Sequence, residues 1–325
     1  MISKLLLGGI FILTYTFFVE AQTSLQDTII QIDDIEVRTS RLKNFALGTT
    51  LNRIEPLIIQ KNNSLFITDI FSSLTGMAVK SYGLGGLSTI SMRGGGASHT
   101  AVLWNGLNIQ SPMSGLTNLS TIPAFLISDI TIQQGGSGTL FGSGAVGGII
   151  HISSFNRMDE KNNVTFQAGY GSFNKQNLIF TAKTGDKTYA FSLKIFKQSA
   201  LNNFPFSNIA QLDSPRVRQT NAVMRNYGFM PELQIITSEN SKLSISTFYQ
   251  KYSKDIQTIM TDTEINHYNQ ADDNLFLSAN WNYVSSKFSL NVKSGYISNR
   301  IIITDKRLPE PEEEPIFKYY LNSKV

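Results

Sequence analysis

The 325-residue chain contains no cysteine. Thiol catalysis, thiolate-ligated zinc and disulfide bonds are excluded together. Charge is sparse as well: Asp, Glu, Lys and Arg make up 16% of the residues, against roughly 25% in soluble globular chains. The net charge of +4 is spread along the chain without a dense Lys/Arg block, so the electrostatic footprint of a nucleic-acid-binding protein is missing. No acid–base pair, nucleophile constellation or metal cluster stands out, and neither an enzymatic activity nor a cofactor is expected. His99, His151 and His267 are far apart in sequence and read as surface or packing residues. Past the N-terminus there is no apolar run long enough for a membrane helix, which takes about 20 residues. A membrane form of this protein would have to be a β-barrel, because lipid leaves backbone polar groups no other way to pair.

What the chain does have is a leader, aromatics and glycine. Met1 and Lys4 give a short positive start, Leu5 to Val19 is apolar but for Thr14, Tyr15 and Thr16, and Ala21 offers a small residue for cleavage. These are the parts of a secretory signal peptide over residues 1–21. Residues 22–52 are polar, with a short alternation at Ile35 to Thr39. Residues 53–155 are mixed and Gly-rich. From residue 163 to 325 the texture turns to two-residue alternation, the signature of half-buried strands. Val164, Phe166, Ala168 and Tyr170 alternate with polar or small residues. The same holds for Tyr189 to Ile195, Leu275 to Tyr283 and Phe288 to Val292; Leu243 to Lys251 is weaker because Phe248 falls on the polar side. Lys183, Lys194, Lys293, Asn280 and Asn291 on the polar face suit a wet lumen. Tyr170, Tyr189, Tyr283 and Tyr296 near strand ends suit interfacial girdles. Tight turns at Thr184–Lys187 and Ser285–Ser286 alternate with long polar segments at 198–219 and 253–273. The expected fold is an α+β domain followed by antiparallel transmembrane β-barrel strands.

In the Gly-rich region, Ser64 reads as the N-cap of a helix over about Leu65 to Leu74, closed by Gly76. Strand-like segments follow at Met77–Val79, Ile90–Arg93, Ala101–Trp104 and Ile130–Ile132, and Asn105-Gly106 is a strong hairpin-turn signal. Gly147-Gly148 leads into a β-prone run with no Lys, so the phosphate-cradling loop of a nucleotide site is not indicated. The glycines read as permitting tight turns and close backbone packing.

The order "LTGMAVKSYG", "ISMRGGG", "VLWNGLNI", "STIP" and "ISDITIQQGGSGTLFGSGAVGGIIHI" resembles the plug domain of TonB-dependent outer-membrane receptors, over roughly Asp33 to Ser153. Within that family the spacing looks most like cobalamin receptors of Bacteroidetes type. Asn105 and Gln134-Gly135-Gly136 stand where the family often has Asp and Arg-Gly-Pro. The resemblance implies a TonB box at Asp33, Asp34, Ile35, Glu36, Val37, Arg38 and Thr39, whose extended strand would pair with the energy-coupling protein TonB by β-augmentation. It implies ligand contact by apex loops, with Ser81, Tyr82, Leu84, Asn108, Gln110, Ser111 and Met113 as candidates. Structural roles in the plug fall to Gly94, Asn105, Gly106, Gly142, Gly147, Gly148 and Arg93, the last expected to pair with a carboxylate inside the plug–barrel interface. The ligand would be cobalamin or a ferric siderophore. The protein would be a monomer seated in outer-membrane lipid. Asp262, Glu264, Asp272 and Asp273 are weak calcium candidates. The family's barrel has 22 strands and about eight are legible here, so the chain reads as a receptor fragment, from an incomplete record or a broken gene. A secreted soluble β-rich binding protein is the reading from another class.

Overall fold

The computed structural model describes residues 50–75, 77–81, 86–111, 114–135, 144–155, 158, 162–262, 264–307 and 319–324. The expected leader, the Asp33–Thr39 segment, Tyr82, Leu84, Met113 and Gly142 lie outside the described residues.

The N-terminal domain is a five-stranded sheet with two short helices. In chain order it contains β1 (Thr50–Ile54), α1 (Pro56–Lys61), α2 (Ile67–Leu74), β2 (Ala78–Ser81), β3 (Ser88–Ser91), β4 (Thr100–Trp104), β5 (Leu107–Asn108), β6 (Asp129–Gln134) and β7 (Gly148–Ser153). The sheet order is β1-β6-β7-β4-β5, with β2 and β3 as a separate hairpin. β4 and β7 are its parallel central pair. Strands covered on both faces read as continuous apolar runs, which is how Thr100–Trp104 and Ile149–Ile152 read. Val102, Ile150 and Ile152 face the larger core, together with Ile67, Ile70 and Phe71. Ala101, Leu103 and Ile149 face a smaller one with Ala145.

The helix α2 begins two residues later than its sequence suggests, and Ser64 is not its cap. The amide of Ala124 donates to the Leu65 carbonyl (2.9 Å) and the amide of Ile67 to the Ile122 carbonyl (3.0 Å). This bridge to residues 122–124 holds Leu65 and Phe66 extended. The helix is capped from within instead, by Asp69, whose carboxylate accepts from the Phe66 amide at 3.0 Å. The apolar stripe is accordingly Ile67, Ile70 and Phe71, all fully buried. α1, with proline in its first turn, has no counterpart among the expected elements.

The second part is an antiparallel wall of eight strands. It comprises β8 (Asn163–Gly171), β9 (Lys175–Gly185), β10 (Tyr189–Ala200), β13 (Met224–Ser238), β14 (Ser241–Asp255), β15 (Tyr268–Val284), β16 (Ser289–Asp305) and β17 (Tyr319–Lys324), paired in chain order. A small hairpin, β11 (Pro205–Ser207) with β12 (Arg216–Arg218), decorates the β10–β13 connection. Short turns at 186–188, 239–240 and 285–288 lie at one end of the wall. The long connections 201–223 and 256–267 lie at the other. At the first short turn the Asp186 carboxylate accepts from the amides of Thr188 (2.6 Å) and Tyr189 (3.0 Å), so side-chain chemistry sets the turn.

Burial in the wall is inverted relative to a soluble protein. Phe191, Ile195, Phe229, Ile245, Leu277 and Trp281 point outward and are exposed. Ser192, Lys194, Glu232, Gln234, Ser246 and Gln250 point inward and are buried. An apolar exterior over a polar interior is the arrangement of a sheet whose outer face meets hydrocarbon. The inward face is not a wet lumen where the N-terminal domain covers it. It is packed against that domain, and Phe248, out of phase with its polar neighbours in sequence, is buried there.

Leu277, in the middle of β15 and 37% exposed, tests this arrangement. Replacing it with arginine is expected to cost about 2–4 kcal/mol if the site lies near the bilayer midplane, while Leu277→Phe is tolerated. Urea titration of the protein in vesicles, followed by heat-modifiable gel migration, measures the difference. An unaltered midpoint for the arginine variant contradicts a lipid-facing outer surface.

Candidate functional site

The chemistry of this structure is concentrated where the N-terminal domain meets the wall. Lys194 on β10 is the centre of one contact. Its Nζ donates to the carbonyls of Leu126 (2.9 Å) and Ser154 (3.2 Å) and lies 3.4 Å from the Glu232 carboxylate on β13. The two side chains are only 4% and 3% exposed. Glu232 also accepts from the hydroxyl of Ser192 (3.0 Å) and that of Ser246 (3.4 Å). The pair is tolerable because nearly every lone pair and proton has a partner. A second contact grips one carbonyl: Thr121 O accepts from the side-chain amides of Gln250 (2.5 Å) and Asn226 (3.5 Å). Gln250 donates in turn to Asn226 (2.9 Å), Asn226 to Gln198 (3.1 Å) and Asn274 to Gln250 (3.1 Å). The result is an amide ladder across β10, β13, β14 and β15.

Apolar contacts complete the seam. Trp104 meets Phe248 and Phe276 at centroid distances of 6.3 and 5.8 Å, and Phe125 meets Phe196 edge-on at 5.4 Å. Asn105 (φ 49°) and Gly106 (φ 89°) form a two-residue left-handed turn between β4 and β5, as the Asn-Gly pair favours. A side chain at Gly106 would run into Lys293 of the wall, and one at Gly295 would run into Leu107. The Asn105 side chain donates to the Ser154 hydroxyl (2.8 Å) and accepts from the Ser154 amide (3.1 Å). Asn105 and Lys194 thus hold the same point of chain, where the domain's last strand leaves toward the wall.

Three of the expected sites meet a different arrangement among the described residues. Arg93 is exposed, with φ 52°, and forms no ion pair there. Its reversed backbone, followed by Gly94 (φ 72°), turns the side chain out to the rim of a cleft of about 230 Å³ lined also by Met92, His99, Val146 and Gly147. Among the described residues the buried cation of the interface is Lys194. Next, the four acidic candidates are not gathered at one point among the described residues. β14 and β15 pair as far as Asp255 and Asn269, so Asp272 and Asp273 are mid-strand neighbours on opposite faces rather than loop residues. Asp272 accepts from Gln270 (2.8 Å) and Asp273 lies 3.9 Å from Lys251. Asp262 and Glu264 stay exposed in the loop, and no group of three potential ligands converges among the described residues. Third, Gln110 is not free for a ligand. Its amide nitrogen donates to the carbonyls of Ser98, Thr100 and Gly115 and its oxygen accepts from Asn108, pinning the loop that follows β5. Ser111 closes that loop through backbone bonds with Leu116 and Gly115. Ser81 accepts from Ser88 at 3.0 Å.

Gly147 and Gly148 sit where backbones crowd. A side chain at Gly147 would press on the carbonyls of His99 and Met92, and one at Gly148 would overlap the Gln133 carbonyl. His151 on β7 contacts Gln133 at 2.9 Å. Burial, reinforced by the nearby positive Lys293, pulls its pKa down to about 4.

The sequence reading missed Glu232, Thr121, Asn226 and Gln250. A faint signal existed for one of them: Glu232, like the already noted Lys194, stands on the inward face of an otherwise outward-apolar strand. Nothing local marks Thr121, whose backbone oxygen is the functional atom.

The profile of the TonB-dependent Receptor Plug Domain matches residues 48–149. Over 137 residues the chain is 34% identical to the Vitamin B12 transporter BtuB of Vibrio vulnificus, a match covering 41% of this chain and 22% of that protein. Among solved structures, the siderophore receptor PirA from Acinetobacter baumannii matches with a TM-score of 0.60 at 16% identity, over 87% of this chain and 44% of that one. The ferric yersiniabactin uptake receptor FyuA from Yersinia pestis matches with a TM-score of 0.58 at 14% identity, over 79% and 42%. The matches thus span about a fifth of the curated relative and under half of the solved receptors.

Replacing Lys194 by alanine strands the Glu232 carboxylate and two carbonyls and is expected to cost about 3–5 kcal/mol. The double variant Lys194→Met/Glu232→Leu should lose far less. Rates of protease cleavage within residues 50–155 report both, and equal sensitivity of the two variants would contradict a seam organised by this pair. The His151 shift carries a pH signature. Between about pH 6.5 and pH 4 the unfolded chain binds a proton that the folded domain refuses, so stability falls as pH drops through that window and is fully present above it. His151→Gln should flatten the dependence, read as thermal midpoint against pH.

Proposed function

We propose that this chain, which carries the plug domain of the TonB-dependent receptors joined to strands of their barrel fold, serves energised import of a scarce, large ligand across the outer membrane. Cobalamin is the first candidate. The observation that carries the reading is the plug seated on the inward face of a lipid-facing wall by side-chain-to-carbonyl hydrogen bonds at Thr121, Leu126 and Ser154. Such bonds are strong enough to hold a stopper yet exchange with water at a small net cost each, about 0.5–1.5 kcal/mol. A greasy core of the same area would resist displacement more. Cobalamin is favoured over a siderophore because the 34% identity is to a vitamin B12 transporter, whereas the solved siderophore receptors share only the fold at 14–16% identity.

In this reading the ligand is captured at the long-loop end. The segment Asp33–Thr39 then offers its strand edge to TonB in the periplasm, and the pull moves the plug against its seam. No covalent bond changes, so the protein acts as a transporter and not an enzyme. The outward apolar face argues against a secreted soluble protein.

The test is expression of the gene that encodes this chain, together with its downstream sequence, in a strain lacking its own cobalamin receptor. Radiolabelled cobalamin should bind saturably and be taken up. Ile35→Pro, which removes a backbone donor from the proposed pairing strand, should abolish uptake while leaving equilibrium binding intact. No saturable binding, together with growth on a ferric siderophore, would transfer the reading to iron uptake.

A further inference from the structure

The outward face of the wall carries its charges at one end only. Lys197, Tyr227, Lys251, Asp273 and Arg300 are register partners on five successive paired strands, β10, β13, β14, β15 and β16. They form one cross-strand row on the outer surface. Arg225 sits one outward position further toward the long loops, opposite Ser199 and Ser253. From this row down to the short turns, no outward residue of β9, β10 or β13–β16 carries a charge. Three cations of the row and the adjacent Arg225 stand against one carboxylate, Asp273, so this end of the face is positive. Asp273 lies 3.9 Å from Lys251, and Lys197 and Arg225 form no ion pair among the described residues. All four basic side chains are exposed.

A charge on a lipid-facing strand is costly in the hydrocarbon and nearly neutral at its border. The segregation therefore fixes where the apolar layer stops. Long basic side chains at such a border keep their stems on the apolar surface and their heads in the polar layer. The tyrosines Tyr227 and Tyr249, flanking the cations, are the amphipathic rings that favour the same depth. The lipid side of this border supplies the complementary charge.

We propose that Lys197, Arg225, Lys251 and Arg300 form a binding site for the phosphate groups of membrane lipids in the leaflet at the long-loop end. The site anchors the wall at a set depth. It rests on the outward face meeting lipid, and is independent of which ligand the receptor imports.

The experiment compares thermal unfolding of the receptor refolded into phosphatidylcholine vesicles with and without lipid A. Lipid A is expected to raise the unfolding temperature of the wild type, and 1 M NaCl to abolish most of that rise. The triple variant Lys197→Gln/Arg225→Gln/Lys251→Gln should lose at least half of it, with unchanged unfolding in phosphatidylcholine alone. Asp273→Asn, which removes the opposing charge, should enlarge the rise. Inorganic phosphate added to phosphatidylcholine vesicles should reproduce none of it, which separates a headgroup in the membrane plane from a free anion. Equal rises for the wild type and both variants, or a rise produced by free phosphate alone, overturn the proposal while leaving the import reading intact. Failure to insert into either vesicle overturns this proposal and the membrane reading together.

Discussion

Backbone carbonyls at the edge of a folded domain need donors, and in this protein the wall supplies them. Lys194 serves Leu126 and Ser154, and the Gln250–Asn226 pair serves Thr121. Buried carbonyls left unpaired would each cost about 1–3 kcal/mol, so the domain and the wall complete one another. The rest of the interface is arranged around these points. Trp104 packs against the contacting pair Phe248 and Phe276, and glycines at 106 and 295 let the two backbones come within reach of Lys293 and Leu107.

This constraint explains why the wall's inward face is polar without being wet. A polar strand face is ordinarily left to water. Here many of its side-chain amides are consumed by one another and by the plug, the buried hydroxyls of Ser244 and Ser278 make no hydrogen bond among the described residues, and its few aromatics fill the gaps between them. The outward face, relieved of any pairing duty, is free to be apolar. The seam is built of many modest hydrogen bonds, one buried ion pair and a small aromatic patch. The ion pair gives orientation more than stability, since a buried pair roughly balances its desolvation. What it fixes is the point at which the plug's last strand hands the chain over to the wall.

The two-residue rhythm after residue 163 and the Asn105-Gly106 turn were legible because both are local. Side-chain alternation follows from strand geometry alone, and the turn's positive φ angles follow from what Asn and Gly tolerate. The glycine-laden motifs were legible as a resemblance, and the profile match over residues 48–149 carries the same identification. Where the reading went astray, a distant partner had intervened. The helix starts at Ile67 because Leu65 and Phe66 pair with residues 122–124. Asp272 and Asp273 left the expected loop because β14 and β15 keep pairing beyond them.

The sequence by itself determined which residues share a face, where tight turns fall and that no thiol or helical membrane chemistry is available. Only the tertiary structure decided what the inward face packs against, which cation is buried and which backbone oxygens are gripped. The physical reason is that periodicity is a property of one strand, whereas burial and hydrogen-bond partnership belong to pairs of elements far apart in the chain. Thr121 contributes an oxygen that every residue possesses. Its importance comes from the position of Gln250 and Asn226, more than a hundred residues away, and no local pattern in the chain encodes that meeting.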